Sequence, residues 1–136
     1  MEAAPVRSAL VLTAVGADIP VVMTAELEYH ASDPYAVTAI FHTPGDAVRW
    51  VFSRDLLDEG LVHDVGDGDV QVVPGRDSQG EHTVQLRLAS PDGVAVLEAS
   101  AEAILAFLGR SYGLVPPGTE ADHLDLDAAL TAILGR

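Results

Sequence analysis

Histidines and carboxylates are the residues of this sequence that could carry out acid–base or metal chemistry. Five histidines and 21 acidic residues occur among 136 residues. A histidine beside a carboxylate can act as a general base, and neutral imidazole is a common metal ligand. The histidines share no spacing typical of a metal or catalytic motif: they are His30, His42, His63, His82 and His123. A His–carboxylate pair that assembles only in the folded protein stays open as an alternative.

Two clusters of acidic residues have the composition of a metal site without its spacing. Asp64, Asp67 and Asp69 lie close together, as the first ligands of a calcium loop do. An EF-hand loop carries a glutamate at its twelfth position, whereas the twelfth residue counted from Asp64 is Gly75. The second cluster, residues 122–127 (DHLDLD), is explained by helix capping and by the helix dipole. We therefore predict no metal site and no cofactor.

The sequence also lacks the motifs of the common enzyme classes. It contains no GxSxG, HExxH, GxxxxGK[ST] or GxGxxG pattern in the required context. All seven basic residues are arginines and there is no cysteine. Neither a lysine Schiff base nor a thiol nucleophile is therefore available, and no disulfide can form. We predict that the protein is not an enzyme.

The net charge of −14 restricts the classes of partner. Nucleic-acid affinity comes largely from basic residues that neutralise phosphates, so a strongly acidic chain is expected to bind neither nucleic acid nor anionic membranes. The first ten residues lack the basic start and apolar run of a signal peptide. No stretch approaches the roughly 18 apolar residues that a transmembrane helix needs. We expect a cytoplasmic protein without membrane insertion.

Turn-forming residues divide the chain into short segments, most of which alternate as β-strands do. In the clearest of them, residues 83–88, Val84, Leu86 and Leu88 alternate with polar residues. Trp50 and Phe52 are predicted to be core or interface aromatics. Tight turns between the segments favour antiparallel hairpins. The predicted strands are residues 6–15, 20–30, 35–43, 47–52, 70–73, 83–88 and 94–99.

Three further segments are predicted to be helical. Ser53 caps a short helix over residues 54–59 that ends at Gly60, and Ser100 caps a longer helix over residues 101–112. A third helix is predicted over residues 126–134. In the second, apolar residues recur at three- and four-residue spacing: Ile104, Leu105, Leu108 and Tyr112.

This order of elements predicts one α+β domain over residues 1–136. It contains a strongly curled antiparallel sheet of about seven strands. The short helix follows the fourth strand, and two C-terminal helices pack against the sheet.

Several segments together resemble one protein family. The most specific are DPYAV at residues 33–37, WVFSRDLL at 50–57 and VPPGTE at 115–120. IFHT at 40–43, GDGDV at 66–70 and LASPDG at 88–93 accompany them. The set resembles the SsgA-like sporulation and cell-division proteins of filamentous actinobacteria, most closely the SsgB-type members. The resemblance covers about residues 5–136.

The resemblance implies a fold similar to the whirly proteins, with a half-barrel sheet, and a homotrimer. It also implies a non-catalytic adaptor, concentrated at the division septum, that marks sporulation septum sites. Such an adaptor recruits the tubulin-like GTPase FtsZ, and SsgB-type members bridge an SsgA-type paralogue to the division ring. The alternative is a single-stranded nucleic-acid-binding module, as the fold relatives are. Seven arginines against 21 acidic residues argue against that activity.

No motif assigns the residues that would contact FtsZ. Arginine is enriched at protein interfaces, and this acidic chain has few arginines to place there. We therefore predict Arg49, Arg54 and Asp55 as exposed protein-binding residues. The alternative is that WVFSRDLL is a core strand leading into a capped helix and contacts no partner.

Overall fold

The protein is described by a computed structural model that covers residues 4–16, 21–66 and 68–124. Its strands are β1 (Val6–Ala14), β2 (Val21–Tyr29), β3 (Ala36–Thr43), β4 (Asp46–Ser53), β5 (Val70–Arg76), β6 (His82–Ser90) and β7 (Gly93–Ser100). The helices are α1 (Arg54–Glu59), α2 (Ala101–Leu114) and a 3₁₀ helix (Glu120–His123). The predicted α+β class and the short helix after the fourth strand are confirmed. The helix predicted over residues 126–134 lies outside the described residues.

The seven strands of the described chain form one antiparallel sheet in the order β4-β3-β2-β1-β7-β6-β5. The sheet curls into a half-barrel, and β4 and β5 are its two edges. Because successive side chains of a strand point to opposite faces, the inner strands bury alternate residues along much of their length, whereas the edge strands β4 and β5 each bury one residue. In β1 and β2 these residues include Leu10, Leu12, Leu27 and Tyr29. The alternation predicted from sequence is confirmed for the inner parts of these strands.

Helix α2 packs against β1, β6 and β7 and completes the core. It buries Ile104, Phe107 and Leu108. The sequence prediction placed Leu105 on this apolar face, and that placement is wrong, because 55% of its surface is exposed. Phe107 takes the core position instead. Leu105 and Phe107 lie at opposite borders of the apolar face of α2, so the 3.6-residue period alone does not tell which one is buried. Packing against the curled sheet determines that Phe107 is.

The predicted helix caps are present at both helix starts. The hydroxyl of Ser53 accepts a hydrogen bond from the N–H of Leu56 at 2.9 Å, and that of Ser100 accepts one from the N–H of Ala103 at 3.3 Å. Each cap satisfies a backbone donor that has no partner inside the helix. The sharp change from strand to helix at each serine is thus encoded locally.

Gly60 follows α1 as predicted, for a different reason. Its φ of −66° is ordinary for any residue, so it does not supply the left-handed turn that often ends a helix. A Cβ atom at this position would lie 2.1 Å from Cγ1 of Val72. Gly60 therefore permits the close approach of the end of α1 to β5.

Strand β5 is longer than predicted and continues through Pro74 and Gly75. The sequence prediction ended it at Val73, because proline cannot donate a ladder hydrogen bond. β5 is an edge strand, however, and a proline N atom that faces away from the neighbouring strand removes no pairing. Pro74 is paired in register with Val84 of β6.

Candidate protein-binding surface

The residues predicted to bind a partner lie where β4 ends and α1 begins. Arg49 is exposed on β4, and Asp55 is exposed in the first turn of α1. Arg54 lies between them along the chain, and only 1% of its surface is exposed. The prediction that Arg54 is a surface residue is therefore wrong. The alternation of faces in β4 ends at the capping residue Ser53, and the first turn of α1 directs Arg54 inward toward α2.

The guanidinium group of Arg54 makes a dense set of buried contacts. Its Nη1 donates to the carbonyl oxygens of Val115 at 2.8 Å and of Ser111 at 3.3 Å. Its Nη2 donates to Oε2 of Glu120 at 2.9 Å, which forms a buried ion pair. The guanidinium carbon lies 4.7 Å from the ring centroids of both Tyr29 and Tyr112. Arg54 is thus held between two aromatic rings and neutralised by one carboxylate.

The partners of Arg54 are themselves fixed by hydrogen bonds. Oε1 of Glu120 accepts from the N–H of Gly118 at 2.8 Å. The hydroxyl of Tyr29 donates to the carbonyl oxygen of Pro34 at 2.8 Å, and the N–H of Arg54 donates to the carbonyl oxygen of Tyr35 at 2.8 Å. The segments 33–37, 50–57 and 115–120 therefore meet at one place. We call Tyr29, Arg54, Tyr112 and Glu120 the arginine cluster.

The ionisation of the arginine cluster follows from these contacts. The hydrogen bond from Arg54 holds the pKa of Glu120 below its usual range. Burial raises the pKa of Tyr112 to about 12, and it also raises the pKa of Tyr29. At neutral pH the cluster therefore contains one guanidinium, one carboxylate and two neutral phenols. This arrangement joins β2, α1, α2 and the 3₁₀ helix, and the side chains of Arg54 and Glu120 are buried within it.

The exposed side of β4 is the part of this region that a partner can reach. Arg49 lies opposite Ile40 in register, and Val51, with 53% of its surface exposed, lies opposite Thr38. We call Arg49, Val51 and Asp55 the edge surface. Within the described residues β4 pairs only with β3, so its outer edge is open. Exposed edge strands are common docking elements for other chains.

The concave face also carries an apolar groove that the sequence analysis did not predict as a site. It has a volume of about 560 Å³. Trp50, predicted as a core or interface aromatic, is half-buried there. The single sequence signal for the groove is the alternation that places Val48, Trp50 and Phe52 on one face. Its apolar lining includes Met23, Phe41, Val48, Trp50, Leu88 and Leu97.

Among residues 4–16, 21–66 and 68–124, no three His, Asp or Glu side chains are grouped so that they could hold a metal ion. None of the helices in the described part of the chain is long and apolar enough to cross a membrane.

Comparison with known proteins identifies the family. The sequence profile of the "Streptomyces sporulation and cell division protein, SsgA" family matches residues 23–120, well over half of the chain. The chain belongs to the SsgA family. The resemblance seen in the sequence is thereby confirmed. The family description refers to sporulation and cell division and names no enzymatic activity.

Curated relatives of this SsgA-family protein are named sporulation-specific cell division protein SsgB. The relative from Streptomyces coelicolor is 53% identical over 111 residues, which cover 81% of this chain and 80% of the relative. The relative from Saccharopolyspora erythraea is 44% identical and covers more, with 94% of this chain and 91% of its own length. The similarity therefore extends over nearly the full length of both proteins.

Solved structures of relatives have the same fold. A structure of SsgB, from a study of SsgB mutations that correlate with longitudinal cell division during sporulation of Streptomyces coelicolor, has a TM-score of 0.84 at 46% identity. It covers 88% of this chain and 95% of its own. The SsgA-like sporulation-specific cell division protein of Thermobifida fusca has a TM-score of 0.86 at 36% identity, with 97% coverage of both chains. The half-barrel of this SsgA-family protein is thus the fold of its relatives.

Proposed function

We propose that this SsgA-family protein is a non-catalytic cell-division adaptor that recruits the tubulin-like GTPase FtsZ to sporulation septum sites. The observation that carries the proposal is the 53% identity to a sporulation-specific cell division protein SsgB over four-fifths of both chains. FtsZ is proposed as the partner because the sequence resembles SsgA-like proteins. On the same resemblance, we propose that the protein is a homotrimer and that an SsgA-type paralogue is a further partner. We also propose that it is concentrated at the division septum.

The edge surface is the proposed contact for FtsZ. Arg49 is exposed and can form charge-assisted hydrogen bonds with a partner, while the neighbouring Val51 offers an aliphatic side chain to bury. Asp55 adds a carboxylate in the first turn of α1. Arg54 is excluded from a direct contact, because its guanidinium group is enclosed by the arginine cluster. The proposal therefore retains two of the three residues predicted from sequence.

Co-sedimentation with FtsZ polymers tests the proposal. Wild-type protein is expected to pellet with polymerised FtsZ at physiological salt, in proportion to its concentration. Arg49→Glu is expected to weaken this binding by about tenfold, the loss expected when an arginine is one of the few residues that dominate an interface. Arg87→Glu is the matched control, because Arg87 is an exposed arginine on β6 and the charge change is the same.

Absence of wild-type enrichment in the FtsZ pellet would reject recruitment for this protein. Equal loss for Arg49→Glu and Arg87→Glu would reject the edge surface as the contact while leaving recruitment intact. The homotrimer is tested separately by sedimentation equilibrium, where the expected mass is three times the 14.2 kDa of one chain.

A further inference from the structure

A second cleft lies away from the edge surface, where β7 turns into α2. It has a volume of about 900 Å³. Its walls come from the start of α2, the outer side of β1, the end of α1 with the residues after it, and the facing ends of β5 and β6. The cleft does not include β4 or any residue of the arginine cluster. It is large enough for several side chains of a bound peptide.

Three aliphatic side chains of this cleft are more than half exposed. Val11 on β1 exposes 62% of its surface, Val62 after α1 exposes 76%, and Leu105 on α2 exposes 55%. These residues come from β1, from the turn after α1 and from α2, yet they line one cleft. Their exposure leaves apolar surface in water, and a partner that covers them gains the corresponding hydrophobic free energy. The occupant must therefore present apolar side chains.

The charges of the cleft restrict the occupant further. Five carboxylates line it, and no arginine does; its one basic residue is His82. Two of the carboxylates already have partners within the chain. Asp77 accepts hydrogen bonds from the N–H groups of Gln79 and Glu81, and Glu98 accepts one from the hydroxyl of Thr83 at 3.3 Å.

Glu81 and Glu102 are exposed and are available to a cation. The fifth carboxylate, Asp58, is exposed near the end of α1. Arg76 lies beside the cleft, but its Nη1 donates to the carbonyl oxygen of Gly80 at 2.8 Å. The cleft is thus negative and apolar at the same time.

We propose that this cleft binds a segment of a partner protein in which lysine or arginine residues alternate with apolar residues. The aliphatic wall recognises the apolar side chains, and the carboxylates recognise the cations. Nucleic acid and anionic membranes are repelled by the same carboxylates. A second copy of this chain is a poor occupant, since its sequence has 21 acidic residues and only seven arginines. The cleft and the edge surface together give the protein two separate docking sites.

A designed peptide tests the proposal with purified full-length protein. The probe is an amphipathic peptide of lysine and leucine, labelled with a fluorophore, and its counterpart has glutamate in place of lysine. The lysine peptide is expected to bind and the glutamate peptide is not, with affinity that falls as salt is added. Methyl NMR signals of Val11, Val62 and Leu105 are expected to shift on titration with the lysine peptide.

Variants then separate the cleft from the general negative field of the protein. The pair Glu81→Gln and Glu102→Gln is expected to weaken binding by roughly 3- to 10-fold at low salt. Leu105→Ala is expected to weaken it by about 5-fold, because Leu105 is exposed in the free protein and buried in the complex. The control pair Asp33→Asn and Asp122→Asn removes the same charge at exposed positions outside the cleft.

Several results would overturn the proposal. Equal weakening by the control pair would mean that the peptide responds only to net charge. Methyl shifts confined to the apolar groove around Trp50 would place the peptide elsewhere. If the variants at Glu81 and Glu102 changed the oligomeric state of the protein and left peptide binding unchanged, the cleft would be a contact between copies of this chain. None of these outcomes depends on FtsZ, so they leave the adaptor proposal to its own test.

Discussion

Arg49 lies on β4 and Arg54 begins α1 five residues later, and their environments are opposite. Arg49 is on the exposed side of an edge strand. Arg54 is 1% exposed, carries hydrogen bonds to two backbone carbonyls and a carboxylate, and lies between two tyrosine rings. The same side chain thus stabilises the fold at one position and remains available to a partner at the other.

The difference comes from the number of groups that depend on each arginine. The Ser111 and Val115 carbonyls and the Glu120 carboxylate are buried acceptors, and Arg54 satisfies all of them. A buried acceptor without a donor costs about 1–3 kcal/mol, and more when it is charged. Among the described residues, the Arg49 side chain forms no hydrogen bond. Loss of Arg54 should therefore disturb the fold, whereas loss of Arg49 should disturb only binding.

Arg54→Met is expected to have the largest effect on stability. Methionine fills similar volume between the tyrosine rings but leaves the Glu120 carboxylate buried without its counter-charge. Removal of one partner from a buried ion pair typically costs about 3–5 kcal/mol. Urea unfolding followed by circular dichroism measures the free energy of unfolding. A loss of unfolding free energy below about 1 kcal/mol would mean that the arginine cluster contributes little to the stability of the fold.

Glu120→Gln is expected to have the next largest effect, and its size depends on pH. Because the folded pKa of Glu120 lies below its unfolded value near 4.5, the carboxylate stabilises the fold above that pH. This contribution disappears as the pH falls through the folded pKa. Glutamine does not titrate, so the difference in melting temperature between wild type and Glu120→Gln should shrink on acidification. Thermal unfolding at neutral and acidic pH measures it, and a constant difference would contradict the shift.

Tyr112→Phe should have a smaller effect on stability, and this effect should appear at alkaline pH instead of changing on acidification. Burial raises the pKa of Tyr112 from 10.0 to about 12, so the unfolded chain loses this proton first as the pH rises. The neutral phenol of Tyr112 therefore stabilises the wild-type fold below about pH 10. This stabilisation is lost as the pH rises from about 10 to about 12. Phenylalanine keeps the ring against Arg54 and cannot ionise. Relative to wild type, the variant should gain about 1–2 kcal/mol of unfolding free energy across this range.

Urea unfolding on either side of pH 10 measures the gain. Tyr35→Phe is a suitable control, because Tyr35 is exposed and is not part of the arginine cluster. If both variants behaved alike, the effect would reflect general alkaline unfolding.

The repeating features of the fold could be predicted from sequence because they depend on neighbouring residues. Two-residue alternation gave the seven strands of the described sheet, and serine side chains gave the starts of both helices. Turn chemistry also acts locally. Gly45 has a φ of +82° in the two-residue loop between β3 and β4, a value that favours glycine.

The environment of Arg54 could not be predicted in this way. Its acceptors are 57 to 66 residues away in sequence, and no local pattern links them. An exposed arginine is also the usual case, which favoured the wrong prediction. The one indirect signal was that the segments 33–37, 50–57 and 115–120 were the most specific parts of the family resemblance. Their meeting at Arg54 shows that these segments are linked by packing in the folded protein.

Arg49→Ala is expected to have the smallest effect on stability and so completes the comparison. Substitutions at exposed positions without buried partners usually change the free energy of unfolding by less than about 0.5 kcal/mol. Urea unfolding of Arg49→Ala should therefore overlay that of wild type. The same purified variant should pellet less with FtsZ polymers, because the truncation removes a cation from the edge surface. A stability loss near that of Arg54→Met would show that Arg49 has a structural role, and any loss of pelleting could then be indirect. If Arg49→Ala leaves stability unchanged and reduces pelleting with FtsZ, Arg49 acts in binding, whereas Arg54 acts in the fold.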